Sequence, residues 1–236
     1  MKKNLVTIVI ILLIGVGVMA NTESIPEIDI NIPDTLETAS FGLGCFWGAE
    51  ASFGAVKGVY RTRVGYAGGT TDNPTYYSIG DHTETVQIDY NPEETSYENL
   101  LEIFWRGHAP YLSSYSKQYK SMILFHNEEQ REVAENFIKN KELEDKMNAT
   151  TEVYKFEKFY MAEDYHQKYL LKQIVTVTDE LEKYYPNHDD FVNSTAVARA
   201  NGYLYGESNE ELYKEERSLL GLSEHALKFL DRRNNY

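Results

Sequence analysis

One stretch limits the fold more than any other. Thr83 to Tyr90 (Thr-Glu-Thr-Val-Gln-Ile-Asp-Tyr) alternates with a strand's period of two and stops at Asn91-Pro92. The strand pattern before it, Val59 to Tyr66, ends at Gly68-Gly69, and no helical pattern lies between the two. Such a β-β step argues against an all-parallel sheet. Around it the sequence predicts a short strand from Ala39 to Leu43, a helix from Phe46 to Val56, an amphipathic helix from Ser96 to Arg106 and a strand from Lys120 to Phe125. A long polar helix from Glu128 to Lys146, a strand from Glu152 to Phe159 and a short helix from Asp164 to Lys172 follow. The order β-α-β-β-α-β-α-β-α predicts an α+β fold. Its core is an α/β plait (ferredoxin-like), a mostly antiparallel sheet with packed helices, and a C-terminal helical extension is added.

The ends differ from this body. Lys2 and Lys3 precede an apolar run from Leu5 to about Met19, and Val18-Met19-Ala20 offers a cleavage site. This is the layout of a secretory signal, short for a spanning helix of roughly 20 residues. Residues 1–20 are read as a signal peptide, or as a membrane anchor if uncleaved. The protein is then exported to a periplasmic, extracellular or surface location. Residues 21–37, with Pro26 and Pro33 among acids, read as a linker, 38–185 as the main domain and 186–236 as a C-terminal extension. In that extension Glu210 to Arg232 reads as one charged helix with leucines at 212, 219, 220, 227 and 230, packed on the domain.

Charge and cysteine content narrow the chemistry. The net charge is −14 with no basic stripe, which argues against a nucleic-acid partner. Cys45 is the single cysteine, so an intramolecular disulfide or a zinc site built on two cysteines is excluded. The histidines (82, 108, 126, 166, 188 and 225) are scattered, and no metal site is expected.

Cys45 sits in Gly42-Leu43-Gly44-Cys45-Phe46-Trp47-Gly48-Ala49-Glu50. A dinucleotide loop fails here, because the third glycine falls at 48 and Gly65 stands where a ribose-binding acid belongs. What fits is a thiol at a strand-to-helix turn, where unpaired N–H groups and the helix dipole favour the thiolate and lower its pKa. Gly44 leaves room for a second molecule, and Phe46 and Trp47 can wall an apolar pocket. The plain alternative is a small buried hydrophobe.

The segment Gly44 to Glu50 resembles the active-site signature of the A-type peptide methionine sulfoxide reductases. The resemblance continues in order through Val64-Gly65-Tyr66-Ala67-Gly68-Gly69, Asn73-Pro74-Thr75-Tyr76, His82-Thr83-Glu84, Ser96-Tyr97-Glu98, Phe104-Trp105 with His108, Gln118-Tyr119-Lys120-Ser121 and Ala162-Glu163-Asp164-Tyr165-His166-Gln167. It implies reduction of methionine S-sulfoxide, free or in proteins, to methionine. In that scheme Cys45 attacks the sulfoxide sulfur and Glu84, kept neutral by an apolar pocket, protonates the oxygen. Tyr76 and Tyr119 donate hydrogen bonds to that oxygen, and Phe46 and Trp47 enclose the substrate methyl. Without the resemblance Glu84 could face water, and the two tyrosines are ordinary among 19. Glu50 and His166 receive no role; His166 reads as structural.

The pattern also departs from the family. Cysteines that resolve the sulfenic acid are missing, so recycling needs an external thiol: a thioredoxin-like protein, a glutaredoxin or a small thiol. No organic cofactor is implied. Ser114 stands where many members carry an acid, and the stretch from Tyr76 to Glu84 is short. The expected partners are oxidised proteins or peptides and the reductant, and a monomer is expected. The competing readings are another cysteine-dependent enzyme on the same scaffold and a non-catalytic module that binds oxidised methionine.

Overall fold

The structure, a computed structural model, describes residues 24–205 and 209–234. The signal peptide or anchor reading of residues 1–20 lies outside them. The strands are β1 (Glu37–Leu43), β2 (Val59–Ala67), β3 (Thr83–Tyr90), β4 (Ser121–Phe125), β5 (Glu152–Lys155) and β6 (Phe159–Met161). The helices are α1 (Phe46–Gly54), α2 (Tyr97–Arg106), α3 (Glu128–Asp145), α4 (Tyr169–Lys172), α5 (Val175–Tyr184), α6 (His188–Asn193), α7 (Thr195–Tyr205), α8 (Glu210–Glu216) and α9 (Glu224–Asp231).

Six strands form one sheet in the order β5-β4-β1-β3-β2-β6. The central four, β4-β1-β3-β2, are antiparallel throughout and linked β-α-β-β-α-β, which is the predicted plait. β5 extends the sheet in parallel beside β4, and β6 runs antiparallel along β2 at the far edge. Every residue of β3 is buried. Val86 and Ile88 meet Phe41, Phe53, Leu100, Phe104 and Phe137 in the core between the sheet and α1 to α3. Phe41 stacks on Phe53 at 5.6 Å and on Phe104 at 5.2 Å.

Three predicted elements differ from what forms. The strand from Glu152 to Phe159 is two strands on opposite edges of the sheet. Residues 156–158 link the two, and Phe156 and Phe159 pack on Ala67, Met122 and Leu124. The helix from Asp164 to Lys172 shrinks to α4 because Lys168 takes a left-handed backbone (φ +54). Its side chain is drawn inward to Glu50, with Nζ 2.6 Å from Oε1, and both side chains are fully buried. The helix from Glu210 to Arg232 breaks at Gly221 (φ +70), so α9 folds back and Leu227 and Leu230 reach a second core with Leu171, Leu181 and Tyr203.

That second core fastens the C-terminal helices to α1. A β-carbon on Gly54 would lie 2.3 Å from the Ala198 carbonyl oxygen, and one on Gly202 2.4 Å from the Ala55 nitrogen, so α1 and α7 cross backbone to backbone. Arg199 Nη1 donates to the Gly54 carbonyl at 2.8 Å, using an acceptor at the C-terminus of α1. Residues 24–36 are tied to these helices: Ile28 packs on the second core, and a β-carbon on Gly221 would stand 2.9 Å from Pro26 Cγ. Asp29 accepts hydrogen bonds from the Tyr185 hydroxyl, the Ser194 hydroxyl and the N–H groups of Thr195 and Ala196, where α7 begins. A carboxylate there satisfies unpaired donors and the positive end of the helix.

Candidate active site

The turn from β1 into α1 positions the nucleophile candidate. Gly44 adopts φ +94, and nothing lies within 4 Å of where its β-carbon would stand. The approach to the next residue is therefore open. Cys45 is the N-cap of α1, extended at φ −62 and ψ 119, and it is exposed.

Glu84 stands on β3 on the same face as Val86 and Ile88 and is 1% exposed. Its Oε2 accepts the Phe46 N–H at 3.0 Å, the first N–H of α1, and its Oε1 accepts from Gln118 Nε2 at 2.7 Å. Burial pushes this carboxyl above its ordinary value, and the two hydrogen bonds oppose that without overcoming it. The buried acid thus sits beside the cysteine through the helix terminus that both share.

The thiol itself corrects the expectation of a lowered pKa. The N–H groups of Trp47 and Gly48 do favour its thiolate, as the helix terminus predicts. The crowding of protein around the site is larger, however, and with the Glu84 charge it leaves the Cys45 thiol above its ordinary value. The Glu84 contribution is present only while that carboxyl is ionised.

Aromatic side chains form the rest of the site. Tyr119 lies in a single tight turn (Lys117–Tyr119), with the Tyr76 phenol close enough to act on its hydroxyl. Burial first, then Glu84, Tyr76 and Cys45, hold the Tyr119 phenol well above its usual range, so it stays a hydrogen-bond donor. Phe46 is buried against Val64, Tyr66 and Ala162, and Trp47 and Tyr76 lean on the same cluster. The Trp47 indole stacks on Tyr169 at 3.6 Å and 6°, and its Nε1–H donates to His166 Nδ1 at 3.0 Å. All six residues singled out from sequence (Cys45, Phe46, Trp47, Tyr76, Glu84 and Tyr119) meet in one place.

The sequence reading assigned nothing to several of their supports. Glu163 accepts the Tyr76 N–H at 2.9 Å and the Tyr66 hydroxyl at 2.7 Å, tying the loop of Tyr76 to β2. Gln118 and His166 complete the bracket around Glu84 and Trp47. All three were inside recognised sequence blocks, but no spacing rule said which way they point. Glu50 faces the core rather than the site. Among the described residues Ser114 bonds only to its own turn, at the carbonyl and N–H of Ser116, and is exposed, and Glu84 takes its polar contacts from Gln118 and the helix terminus. His108 shares a cleft with Cys45, yet its ring nitrogens are engaged by the Phe104 carbonyl at 2.7 Å and Thr151 Oγ1 at 3.3 Å. Among the described residues no group of three His, Cys, Asp or Glu could hold a metal ion.

Comparison with known proteins gives a consistent answer. The family model for peptide methionine sulfoxide reductase matches residues 37–193. The peptide methionine sulfoxide reductase of Drosophila melanogaster is 42% identical over 200 residues, covering 84% of this chain and 79% of its own. That of Methanosarcina acetivorans is 41% identical over 167 residues, covering 65% and 88%. Among solved structures, methionine sulfoxide reductase A of Corynebacterium diphtheriae superposes with a TM-score of 0.52 at 33% identity, covering 59% of this chain and 76% of its own. Reduced Mxr1 from Saccharomyces cerevisiae gives 0.55 at 28% identity, over 60% and 87%. A match that runs from the first strand of the sheet into the C-terminal helices leaves one assignment: the chain belongs to the peptide methionine sulfoxide reductases, oxidoreductases that act on the sulfur of oxidised methionine.

Proposed function

We propose that the protein reduces methionine S-sulfoxide in peptides and proteins through a single-cysteine cycle. The Cys45 thiolate attacks the sulfoxide sulfur while Glu84 gives a proton to the departing oxygen. Tyr76 and Tyr119 donate to that oxygen, and Phe46 and Trp47 enclose the methyl group. Thiol and sulfoxide become methionine and a sulfenic acid on Cys45. One outside thiol converts the sulfenic acid to a mixed disulfide and water, and a second releases the Cys45 thiol and a small disulfide. That outside thiol belongs to a thioredoxin-like protein, a glutaredoxin or a small molecule. The protein acts as a monomer outside the cytoplasm after its N-terminal signal is removed, or on the membrane if it is kept.

The observation that carries the reading is Glu84, an acid shut away from water and bonded to the first N–H of the helix that Cys45 caps. Burial keeps it protonated to higher pH, which suits a proton donor. The proton also removes the negative charge that raises the Cys45 thiol. Acyl transfer by Cys45 would need a base at the sulfur, and the engaged nitrogens of His108 weigh against it.

The test is a single turnover without reductant. Protein, a peptide carrying the S-epimer of methionine sulfoxide and a sulfenic-acid trap are mixed and analysed by mass spectrometry. About one equivalent of methionine is expected, with the trap on Cys45, and neither in Cys45→Ala. Folded wild-type protein that yields no methionine and keeps Cys45 unmodified overturns the reading in favour of a binding module.

A further inference from the structure

Cys45 opens onto two clefts. One, of about 520 Å³, also holds Tyr119, with Leu112 and Tyr115 exposed at its rim. The other, of about 1220 Å³, runs between α1 and α2, and the chemistry above makes no use of it. The C-terminal helices close its end: the Tyr205 hydroxyl comes within 3.5 Å of where a β-carbon on Gly48 would stand, over the first turn of α1.

The charges along this second cleft, two acids and two bases, are unevenly placed. Its acids are engaged, Glu94 by the Tyr60 hydroxyl and Asn91 Nδ2, each at 2.7 Å, and Glu102 by Lys141 at 2.9 Å. Its bases are not. Among the described residues neither Lys57 nor Arg106 forms an ion pair, and both are exposed. Arg106 makes one hydrogen bond, from Nε to the Glu102 carbonyl at 3.3 Å. Glu94 keeps its charge under those neutral donors, but it lies at the Lys57 end, where a β-carbon on Gly58 would stand 2.7 Å from its Cβ, so in a chain of net charge −14 Arg106 is the unpaired cation nearest Cys45 and draws a negatively charged visitor there.

Position separates the two cations. A β-carbon on Gly107 would touch Leu43 Cδ1 at 2.8 Å, so the end of α2 that carries Arg106 packs against the turn that carries Cys45. Lys57 follows the far end of α1, which at nine residues is about 14 Å long. A group bonded to the Cys45 sulfur thus meets Arg106 first.

We propose that this cleft admits the reducing thiol, that the thiol is a small molecule bearing carboxylates, and that Arg106 binds a carboxylate while the sulfur reaches Cys45. The inference rests on the sulfenic acid of the proposed function. In the step it serves, the incoming thiolate forms an S–S bond to Cys45 as the S–O bond breaks. The oxygen takes a proton and leaves as water, and a second thiol then cleaves the mixed disulfide. A peptide-like thiol places a carboxylate within a residue or two of its sulfur, at about 3.5 Å per residue, which is within reach of Arg106 and short of Lys57. Lys57, with Glu94 beside it, adds less attraction and at longer range.

The test measures decay of the Cys45 sulfenic acid with glutathione and mercaptosuccinate (anionic), 2-mercaptoethanol (neutral) and cysteamine (cationic), each rate corrected to its thiolate concentration. The wild type is expected to favour the anionic thiols about threefold or more over the neutral one at low salt, and less at high salt. Arg106→Gln should erase that ratio and Arg106→Glu invert it, while Lys57→Gln lowers it by less. An equal response to all three classes overturns the proposal, as does a ratio that survives in both Arg106 variants. So does a thioredoxin-like protein that outpaces every small thiol with equal rates on wild type and Arg106→Glu. If the first turnover releases no methionine, the proposed function fails by itself; the sulfenic acid is then made with hydrogen peroxide, and the thiol comparison still decides this inference.

Discussion

Replacing Glu84 with glutamine separates what the carboxyl does for the fold from what it does for the reaction. Glu84 is raised by burial, so the native state holds its proton more tightly than the unfolded chain does. The stability this gives is fully present below the unfolded pKa and is lost as pH climbs from there through the folded value. Glutamine does not titrate, keeps an acceptor for the Phe46 N–H and can bond to Gln118 if that amide turns over. Glu84→Gln is therefore expected to be more stable than wild type at pH 7 by about 0.5–2 kcal/mol, with the advantage gone below about pH 4 in urea titrations. Its sulfoxide reduction should fall about 100-fold or more at pH 7, the usual worth of a positioned acid. A Glu84→Gln enzyme with wild-type turnover rules out the proton-donor role. The same scale shows where sequence stops being informative. Alternation with Val86 and Ile88 put Glu84 on the inner face, because strand side chains have only two directions. Glu50 lies on a helix, where the choices are many, and its burial against Lys168 depends on a left-handed residue that no local pattern announces.

Two contacts between elements decide how rigid the site is. The α1–α7 crossing has no room for side chains at Gly54 and Gly202. Gly202→Ala is expected to cost about 1–3 kcal/mol in urea denaturation, although alanine is the better helix former. A neutral or stabilising result means the helices separate easily. The Glu50–Lys168 pair joins α1 to the segment that carries Glu163 and His166, with no solvent access. Lys168→Met strands the Glu50 carboxylate and should destabilise by about 3–5 kcal/mol, while Glu50→Leu with Lys168→Met should recover most of the loss. If the double variant is no better than the single one, packing rather than charge governs the site. β2 and β3 were legible because each alternates and ends at glycine or at asparagine-proline, and β4 because Met122 to Phe125 is a short apolar run. The split of β5 from β6 was hidden, because Phe156 to Lys158 carries no breaker. What turns the chain there is apolar surface on a different strand.

Across the whole molecule, the turn that carries Cys45 is pressed between a sheet made early in the sequence and helices made late. The late helices were poorly legible. α7 is rich in alanine and buried on nearly every side, so it lacks the polar face that marks a surface helix. The proposed export has a direct check: protein recovered from the cell exterior or periplasm should begin at Asn21 by N-terminal sequencing. An intact Met1 on membrane-bound protein would instead identify an anchor. The Asp29 contact bears on how such a chain acquires its structure. Asp29 and Thr195 are 166 residues apart, and the early residue supplies the cap that the late helix needs. A chain that emerges amino end first, from a ribosome or through a translocation pore, can zip its sheet as the strands appear. It cannot close this clasp until nearly all of it has come through, so the last step of folding is timed by the length of the chain rather than by its strands.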